Sequence, residues 1–263
     1  MREAVMKKEL EAIMREAGQI ILSAHDIDLA VSEKEGTANF VTEYDVKVQR
    51  LLKEKLLQLK PEAHFVGEEE DARDDVLHGE AFIVDPIDGT SNFIFNLRSS
   101  AISVAYLKDG EVAEAATYNP YQDKYFYAKK GCGATCNGRK IHVSSRRLKD
   151  SLVCFGTSPY YEELHEITFD LARRLQKEAL DLRRSGSAVI DLCEVAQGHA
   201  GLLFELKLSP WDYAASSLII TEAGGRISQA DGSSIVFDRP CSIIAGAPQA
   251  YDDFFKVIKV PAL

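Results

Sequence analysis

Long apolar runs, paired cysteines and a surplus of positive charge are all missing from this chain, and each absence removes a class of function. No apolar stretch approaches the roughly 20 residues that a bilayer-crossing helix needs. The charged start Met1-Arg2-Glu3-Ala4 has no apolar core of the kind a secretory signal carries. Five cysteines, Cys132, Cys136, Cys154, Cys193 and Cys241, form an odd and scattered set, which favours reduced thiols and a cytoplasmic location over a disulfide framework. Cys132 and Cys136 suggest zinc, but no second Cys or His pair accompanies them, and a Gly-rich turn after a strand accounts for them better. With 31 Lys and Arg against 41 Asp and Glu the formal net charge is -10, so general binding to nucleic acid or to an anionic membrane is not expected. There is no internal repeat, no low-complexity tract and no Gly-rich P-loop. The six histidines show no paired base arrangement, and Ser185-Gly186-Ser187 lacks the nucleophile elbow of the serine hydrolases.

What is present is enough apolar sequence, 46% of 263 residues, to bury a proper core as one compact body or two subdomains. Met6, Leu10, Ile13, Ala17, Ile20 and Ile21 follow the spacing of a helix face, and a second helix begins near Thr42 and ends before Pro61. Strands are expected at 101–107 and 112–118, joined by Asp109-Gly110, a strong hairpin signal, then at 125–128 and 141–143 in the same antiparallel sheet. After a polar connection at 144–150 the pattern alternates. Strands at 151–155, 180–182, 201–206, 225–228 and 242–245 are separated by helices near 162–177, 188–196 and 212–223. The pattern alone supports α and β elements in two sheets, divided as 1–147 and 148–263.

The chemistry concentrates at Asp85-Pro86-Ile87-Asp88-Gly89-Thr90. The apolar run 81–84 reads as a strand that delivers Asp85 at its carboxyl end, where α/β proteins place ligands, and Pro86 helps end it. Gly89 and Thr90 then open a short helical segment whose first amides would face an anion. Two carboxylates three apart also fit a plain turn. Glu68 in Gly67-Glu68-Glu69-Glu70 and Asp212 in Trp211-Asp212 supply further acids. Four carboxylates on one centre would repel one another unless divalent cations reverse that cost.

These elements resemble the inositol monophosphatase family, magnesium-dependent and lithium-sensitive phosphomonoesterases. The resemblance is carried by Gly67 to Glu69, by the Asp-Pro-Ile-Asp-Gly-Thr-Ser-Asn-Phe run from Asp85 to Phe93, and by Trp-Asp with a later Glu-Ala-Gly-Gly from Trp211 to Gly225. It implies a layered α-β-α-β-α sandwich, an antiparallel half followed by an α/β half, with a cleft between them. It implies that Glu68 and Asp85 with the Ile87 carbonyl hold one metal, and that Asp85, Asp88 and Asp212 hold a second. Two or three magnesium ions are expected, with manganese a substitute, because oxygen donors without His or Cys suit hard cations. The implied reaction is hydrolysis of a small phosphomonoester, an inositol monophosphate or a related sugar or polyol phosphate, by direct attack of a metal-activated water. Fructose 1,6-bisphosphate and 3',5'-bisphosphonucleotides are alternative substrates, and a binding role in transcription or ribosome machinery is an alternative of another class.

By the same resemblance Thr90 and Asp45, the acid of Val41-Thr42-Glu43-Tyr44-Asp45, position the attacking water together with Glu68. Thr42 and Asp45 equally fit a capping box. Gly89 and Thr90 would cradle the phosphate. Ser187 and Ala188 would approach the polyol beside Asp88 and Asp212, and Glu205 would accept its hydroxyls, although a strand-end surface charge is the plain alternative. A carboxylate there suits a vicinal diol and repels a second phosphate. Departures from the family pattern, Phe95, Arg98 and Gly201, are expected around the mouth of the site, with Arg98 either a surface charge or a contact for a second anion. Lys34 and the segment 35–39 read as a loop at the site. A homodimer is expected from the resemblance. The aspartyl-phosphate route is closed, since Pro86 stands where the second acid is needed.

Overall fold

The computed structural model describes residues 2–24, 31–33, 40–70 and 74–260. The expected active-site loop with Lys34 and residues 35–39 lies outside the described residues. Within them the chain folds as a mixed α+β sandwich in five layers. The outer layer pairs α1 (Arg2–Leu22) with α2 (Glu43–Leu59). Leu10, Met14, Val48 and Leu52 from these helices bury against Phe82, Val84 and Ile102 of a seven-stranded sheet. Its strands lie in chain order: β3 (His64–Gly67), β4 (Glu80–Asp88), β5 (Ala101–Lys108), β6 (Glu111–Asn119), β7 (Lys124–Lys129), β8 (Gly133–Cys136) and β9 (Arg139–Lys140). Ile83 points the other way from Phe82 and Val84, as the two-residue period of a strand demands. It packs into the central layer with Val189, Leu192, Tyr213 and Ile219, from α5 (Ala188–Ala196) and α6 (Pro210–Glu222).

The fourth layer is a five-stranded mixed sheet of β10 (Leu152–Phe155), β11 (Asp181–Arg183), β12 (Leu202–Leu208), β13 (Arg226–Ser228) and β14 (Cys241–Gly246), in the order β11-β10-β12-β14-β13. Along β12, Leu203 faces the central layer while Leu202, Phe204 and Leu206 face outward. The outer face is closed by α4 (His165–Leu175) and α7 (Pro248–Val257) through Leu171, Leu175 and Phe254. A short pair, β1 (Val31–Glu33) and β2 (Phe40–Thr42), and the five-residue α3 (Thr90–Ile94) complete the order.

Several expectations meet local physics directly. The Asp109-Gly110 turn has φ of 47° and 76°, the left-handed pair that matches strand twist in a two-residue hairpin. The capping box at α2 forms with Thr42 and Asp45, and a second forms at α6 with Ser209 and Asp212 behind Pro210. Gly131 and Gly133 turn the chain between β7 and β8.

Other expectations are corrected. Strand β4 does not stop at Pro86; it continues to Asp88, with a register shift between the Asp85–Ser103 and Asp88–Ala101 pairs. Pro86 thus sits in a bulge, where no ladder N–H is required. The first sheet is antiparallel except that β3 and β4 run parallel. Residues 141–143 form no strand: Val143 N–H donates to Ala223 O at the end of α6, 3.1 Å away, instead of to a neighbouring strand. Helix α7 was not anticipated; Pro248 opens it, and Ala250 and Phe254 bury one face. Among the described residues no helix is long and apolar enough to cross a membrane.

Candidate active site

A cleft of about 510 Å³ opens between β4, α3, β12, α5 and the start of α6. The β4 bulge makes its floor. Asp85 is 1% exposed and its Oδ1 accepts the Ile87 N–H at 2.9 Å. Asp88 Oδ2 accepts the Ser187 hydroxyl and the Val189 N–H, the latter at 2.9 Å. Asp212 reaches the same point from the first turn of α6, where its Oδ2 accepts the Ser209 N–H at 2.7 Å. Carboxylate oxygens of Asp85, Asp88 and Asp212 lie within 4.8 Å of one another. Residues more than a hundred apart in sequence are brought together because the capping box of α6, in the central layer, packs directly against the bulge of β4.

This arrangement is costly for bare carboxylates. Burial, then the charges of Glu68, Asp88, Asp212 and Asp45, hold the Asp85 carboxyl well above its ordinary range. Burial, then Asp88 and Glu68, does the same to Asp212. Asp88 is pushed up to about 6 by burial, although the Ser187 and Val189 donors oppose the shift. Three oxygen donors crowded together, two buried and Asp212 half-buried, with no His or Cys among them, fit a hard divalent cation in charge and in donor type.

Glu68 stands at the edge of this set. It lines the cleft and its charge acts on Asp85 and Asp212, while the group sharing the 4.8 Å separation consists of the three aspartates. It is placed by its own N–H donating to Val84 O and by Gly67, where a Cβ would meet the Gln49 amide at 2.4 Å. The Ile87 carbonyl accepts the Thr90 hydroxyl at 3.2 Å. Thr90 Oγ1 also lies 3.5 Å from Asp45 Oδ1. Asp45 is fully buried and divided between two tasks: Oδ2 accepts Thr42 N–H and Oγ1 at 2.7 and 2.5 Å, and Oδ1 faces Thr90. The capping geometry and the approach to Thr90 therefore occur together.

Gly89 turns with φ 84° into α3, and a Cβ there would press on Ser187 Cβ and the Ser99 carbonyl. Ser187 caps α5, accepting Ile190 N–H at 3.2 Å, and Ala188 lines the cleft beside it. Glu205 is buried at 7% exposure, not at the surface; its Oε1 accepts Ser158 N–H at 3.1 Å, and burial pushes its carboxyl up to about 7. A side chain at Gly156 would collide with it.

Three residues expected around the mouth do not line the cleft. Phe95, at 72% exposure, and Arg98 stand outside the cleft lining. Gly201 is also away from it, pressed against Ser151 so closely that any Cβ would meet Ser151 Oγ at 2.3 Å. Its lack of an acid is a packing requirement and says nothing about substrate. Conversely, the cleft includes residues to which the sequence reading gave no role. Asn92 Nδ2 donates to Ser99 O and Ser185 O, tying the two halves together. Asp191 accepts Ser185 N–H and is pushed up to about 6 by burial. Tyr160, Arg184 and Lys207 line the wall. Asp191 is legible in retrospect as the acid one turn beyond Ser187; Lys207 had no signal beyond lying two residues past Glu205.

A family model described as the inositol monophosphatase family matches residues 2–258. The chain belongs to this family. It is 32% identical over 262 residues to the inositol-1-monophosphatase of Rhizobium meliloti (strain 1021), covering 99% of this chain and 98% of that one. It is 31% identical over 237 residues to the Nus factor SuhB of Escherichia coli (strain K12), covering 89% and 88%. Among solved structures it matches the extragenic suppressor protein suhB of Bartonella henselae at TM-score 0.89 and 30% identity, over 98% of this chain and 100% of that one. For this inositol monophosphatase family member the comparisons support a metal-dependent phosphatase acting on a small phosphate compound, and leave the ion and the substrate to the chemistry of the cleft.

Proposed function

We propose that this protein hydrolyses a small phosphomonoester of a polyol or sugar, the class of inositol monophosphate, with magnesium as its cation and manganese as a substitute. The observation that carries the reading is the trio of aspartates, Asp85 and Asp88 buried and Asp212 half-buried, with carboxylate oxygens within 4.8 Å at the floor of the cleft. Glu68 and Asp85 with the Ile87 carbonyl would hold one cation, and Asp85, Asp88 and Asp212 another. When bound, such ions neutralise phosphoryl oxygens, make a nearby water a stronger acid and stabilise the departing oxygen.

The chain's own residues supply the rest. A threonine hydroxyl has one proton to donate and lone pairs to accept with. Thr90 can direct its proton at Asp45 Oδ1 or the Ile87 carbonyl, which leaves its oxygen to accept a proton from the attacking water. The buried Asp45 carboxyl, facing Thr90, then accepts the proton that Thr90 passes on. Glu68 borders the same water from the β3 side. In the reaction the water oxygen forms a bond to phosphorus and the ester P–O bond breaks; the attacking water's proton leaves through Thr90 and Asp45 to solvent, and the departing alkoxide takes a proton from a solvent water, so that ester and water become alcohol and phosphate. Gly89 and Thr90 amides face the phosphate side, and Ser187, Ala188 and Glu205 face the alcohol, with Glu205 accepting its hydroxyls.

A homodimer, a cytoplasmic location and the division into residues 1–147 and 148–263 belong to the same reading. Phosphate release from inositol monophosphates, fructose 1,6-bisphosphate and a 3',5'-bisphosphonucleotide, with magnesium present and then chelated, tests it. Release that stops on chelation is expected; release indifferent to chelation, or none from any ester, overturns it. The likeness to the E. coli Nus factor supports a second reading, a binding role in transcription. Cellular function retained by Glu68→Gln after hydrolysis is lost would favour that role.

A further inference from the structure

Of the acids proposed to meet the cations, Asp85 and Asp88 stand on a strand and Asp212 on a helix, whereas Glu68 stands on the turn that follows β3. A carboxylate on a turn has a fixed place only if other elements hold the turn. The two peptides that flank the Glu68 Cα are held from two sides. Its own N–H donates to Val84 O at 3.2 Å, in β4 and next in sequence to Asp85. The following N–H, that of Glu69, donates to Gln49 Oε1 at 2.9 Å, in α2 and one helical turn beyond Asp45. Gln49 is buried and stands outside the residues that line the cleft. Its amide lies flat on the bare backbone of Gly67, where a Cβ would meet Oε1, Cδ and Nε2 at 2.4, 2.5 and 2.9 Å. Glycine at 67 thus permits the approach, and the hydrogen bond to Glu69 uses it. One turn further along α2, Lys53 Nζ closes on Glu70 Oε1 at 2.6 Å, at the far end of the same turn. Asp45, Gln49 and Lys53 are spaced four apart and share one face of the helix. The first faces Thr90, at 3.5 Å, and the other two grip the turn that carries Glu68.

We infer that Gln49 is a positioning residue for Glu68, holding its carboxylate in place beside Asp85 and so setting the affinity for the cation the two would share. The inference rests on the phosphatase reading and deepens it. With the acceptor removed, the peptide after Glu68 regains its torsional freedom, and that freedom must be lost again whenever the carboxylate takes up a cation. The cost of fixing one residue's backbone corresponds to a change of about tenfold in affinity. Helix α2 then carries both the buried acid that faces Thr90 and the side chain that places Glu68, so the proton path and the ligand are registered to one rigid element.

The test measures the magnesium dissociation constant of the full chain by calorimetry, in the wild type and in a Glu68→Gln background. Gln49→Met keeps the length of the side chain and removes the acceptor; it should raise the constant about tenfold in the wild type and less than about twofold when Glu68 is already replaced. Gly67→Ala displaces the same amide from the other side and should repeat both results, which keeps the comparison decisive where Gln49→Met unfolds the chain. At saturating magnesium the KM for inositol 1-phosphate should be unchanged in both variants, since Gln49 lies outside the cleft lining. A shift of equal size in the two backgrounds, or none in the wild type, overturns the positioning role and leaves the phosphatase reading standing. A wild type that binds no magnesium and releases no phosphate from any ester overturns that reading and the positioning role with it.

Discussion

The floor and the wall of one cleft both hold buried or half-buried acids, but set different charges beside them: other acids on the floor, Arg184 on the wall. On the floor, burial and then the charges of Glu68 and of neighbouring aspartates raise Asp85 and Asp212, and burial raises Asp88; the donors they receive are Ile87 N–H, the Ser187 hydroxyl, Val189 N–H and Ser209 N–H. On the wall, Asp191 and Glu205 are raised chiefly by burial, and each is answered by a backbone N–H and by the charge of Arg184. A wall acid is tolerated by its surroundings within the chain. A floor acid in its charged form is stabilised by a cation, since mutual repulsion away from water costs stability that the few hydrogen bonds there only partly offset. The floor is therefore where chemistry is to be sought, and the wall is where substrate shape is set.

The largest effect that would break this contrast is at the floor. Asp212→Asn should lower phosphate release on the order of a thousandfold or more while raising the thermal midpoint of the metal-free protein, because it relieves repulsion. A fall in both would place Asp212 among structural acids. Thr90→Val removes a hydroxyl that faces Asp45 and should cost about a hundredfold in kcat with KM little changed; a change confined to KM would remove Thr90 from the proton path.

At the wall the expected effect is on stability and has a definite sign. The Asp191 carboxyl lies at about 6 in the fold against an ordinary 3.8, so its neutral form is favoured and the penalty appears as pH rises. Relative to Asp191→Asn, the wild type should lose on the order of 3 kcal/mol between pH 3.8 and pH 7, measured by denaturant unfolding. Parallel curves for the two proteins would show that Asp191 is fully compensated. The smallest expected effect is that of Asn92→Ala, which removes the bonds to Ser99 O and Ser185 O and should cost about 2 kcal/mol in unfolding free energy. Its kcat should fall by more than any loss of folded protein explains, since the tie aligns Ser187 with Asp88.

How much of this was legible depends on whether the cause was local. The helix expected at 188–196 forms at Ala188–Ala196, and the Asp109-Gly110 hairpin closes as read, because caps, turns and apolar periods act within a few residues. The floor acids were legible through their motifs. The continuation of β4 through Pro86 was not, since it depends on Ser103 and Ala101 of a partner strand that supply a register able to absorb a bulge. Residues 141–143 read as a strand because they are apolar and alternate, yet the end of α6 captures the Val143 N–H. Gly201 looked like a missing substrate contact until Ser151 was seen against it. Lys207 and Arg184 carry no motif; only their common attachment to the 157–161 loop gives them a place.

The central claim, that the floor aspartates are held together for a divalent cation, is tested most directly by following the thermal midpoint of the metal-free protein as magnesium is added, in the wild type and in Asp85→Asn. The wild type should start lower and climb, by about 2.7 kcal/mol of stabilisation when the cation reaches a hundred times its dissociation constant, while Asp85→Asn should start higher and stay flat over the same range. Two curves that climb together, or a wild type that does not respond to magnesium or manganese, would contradict it.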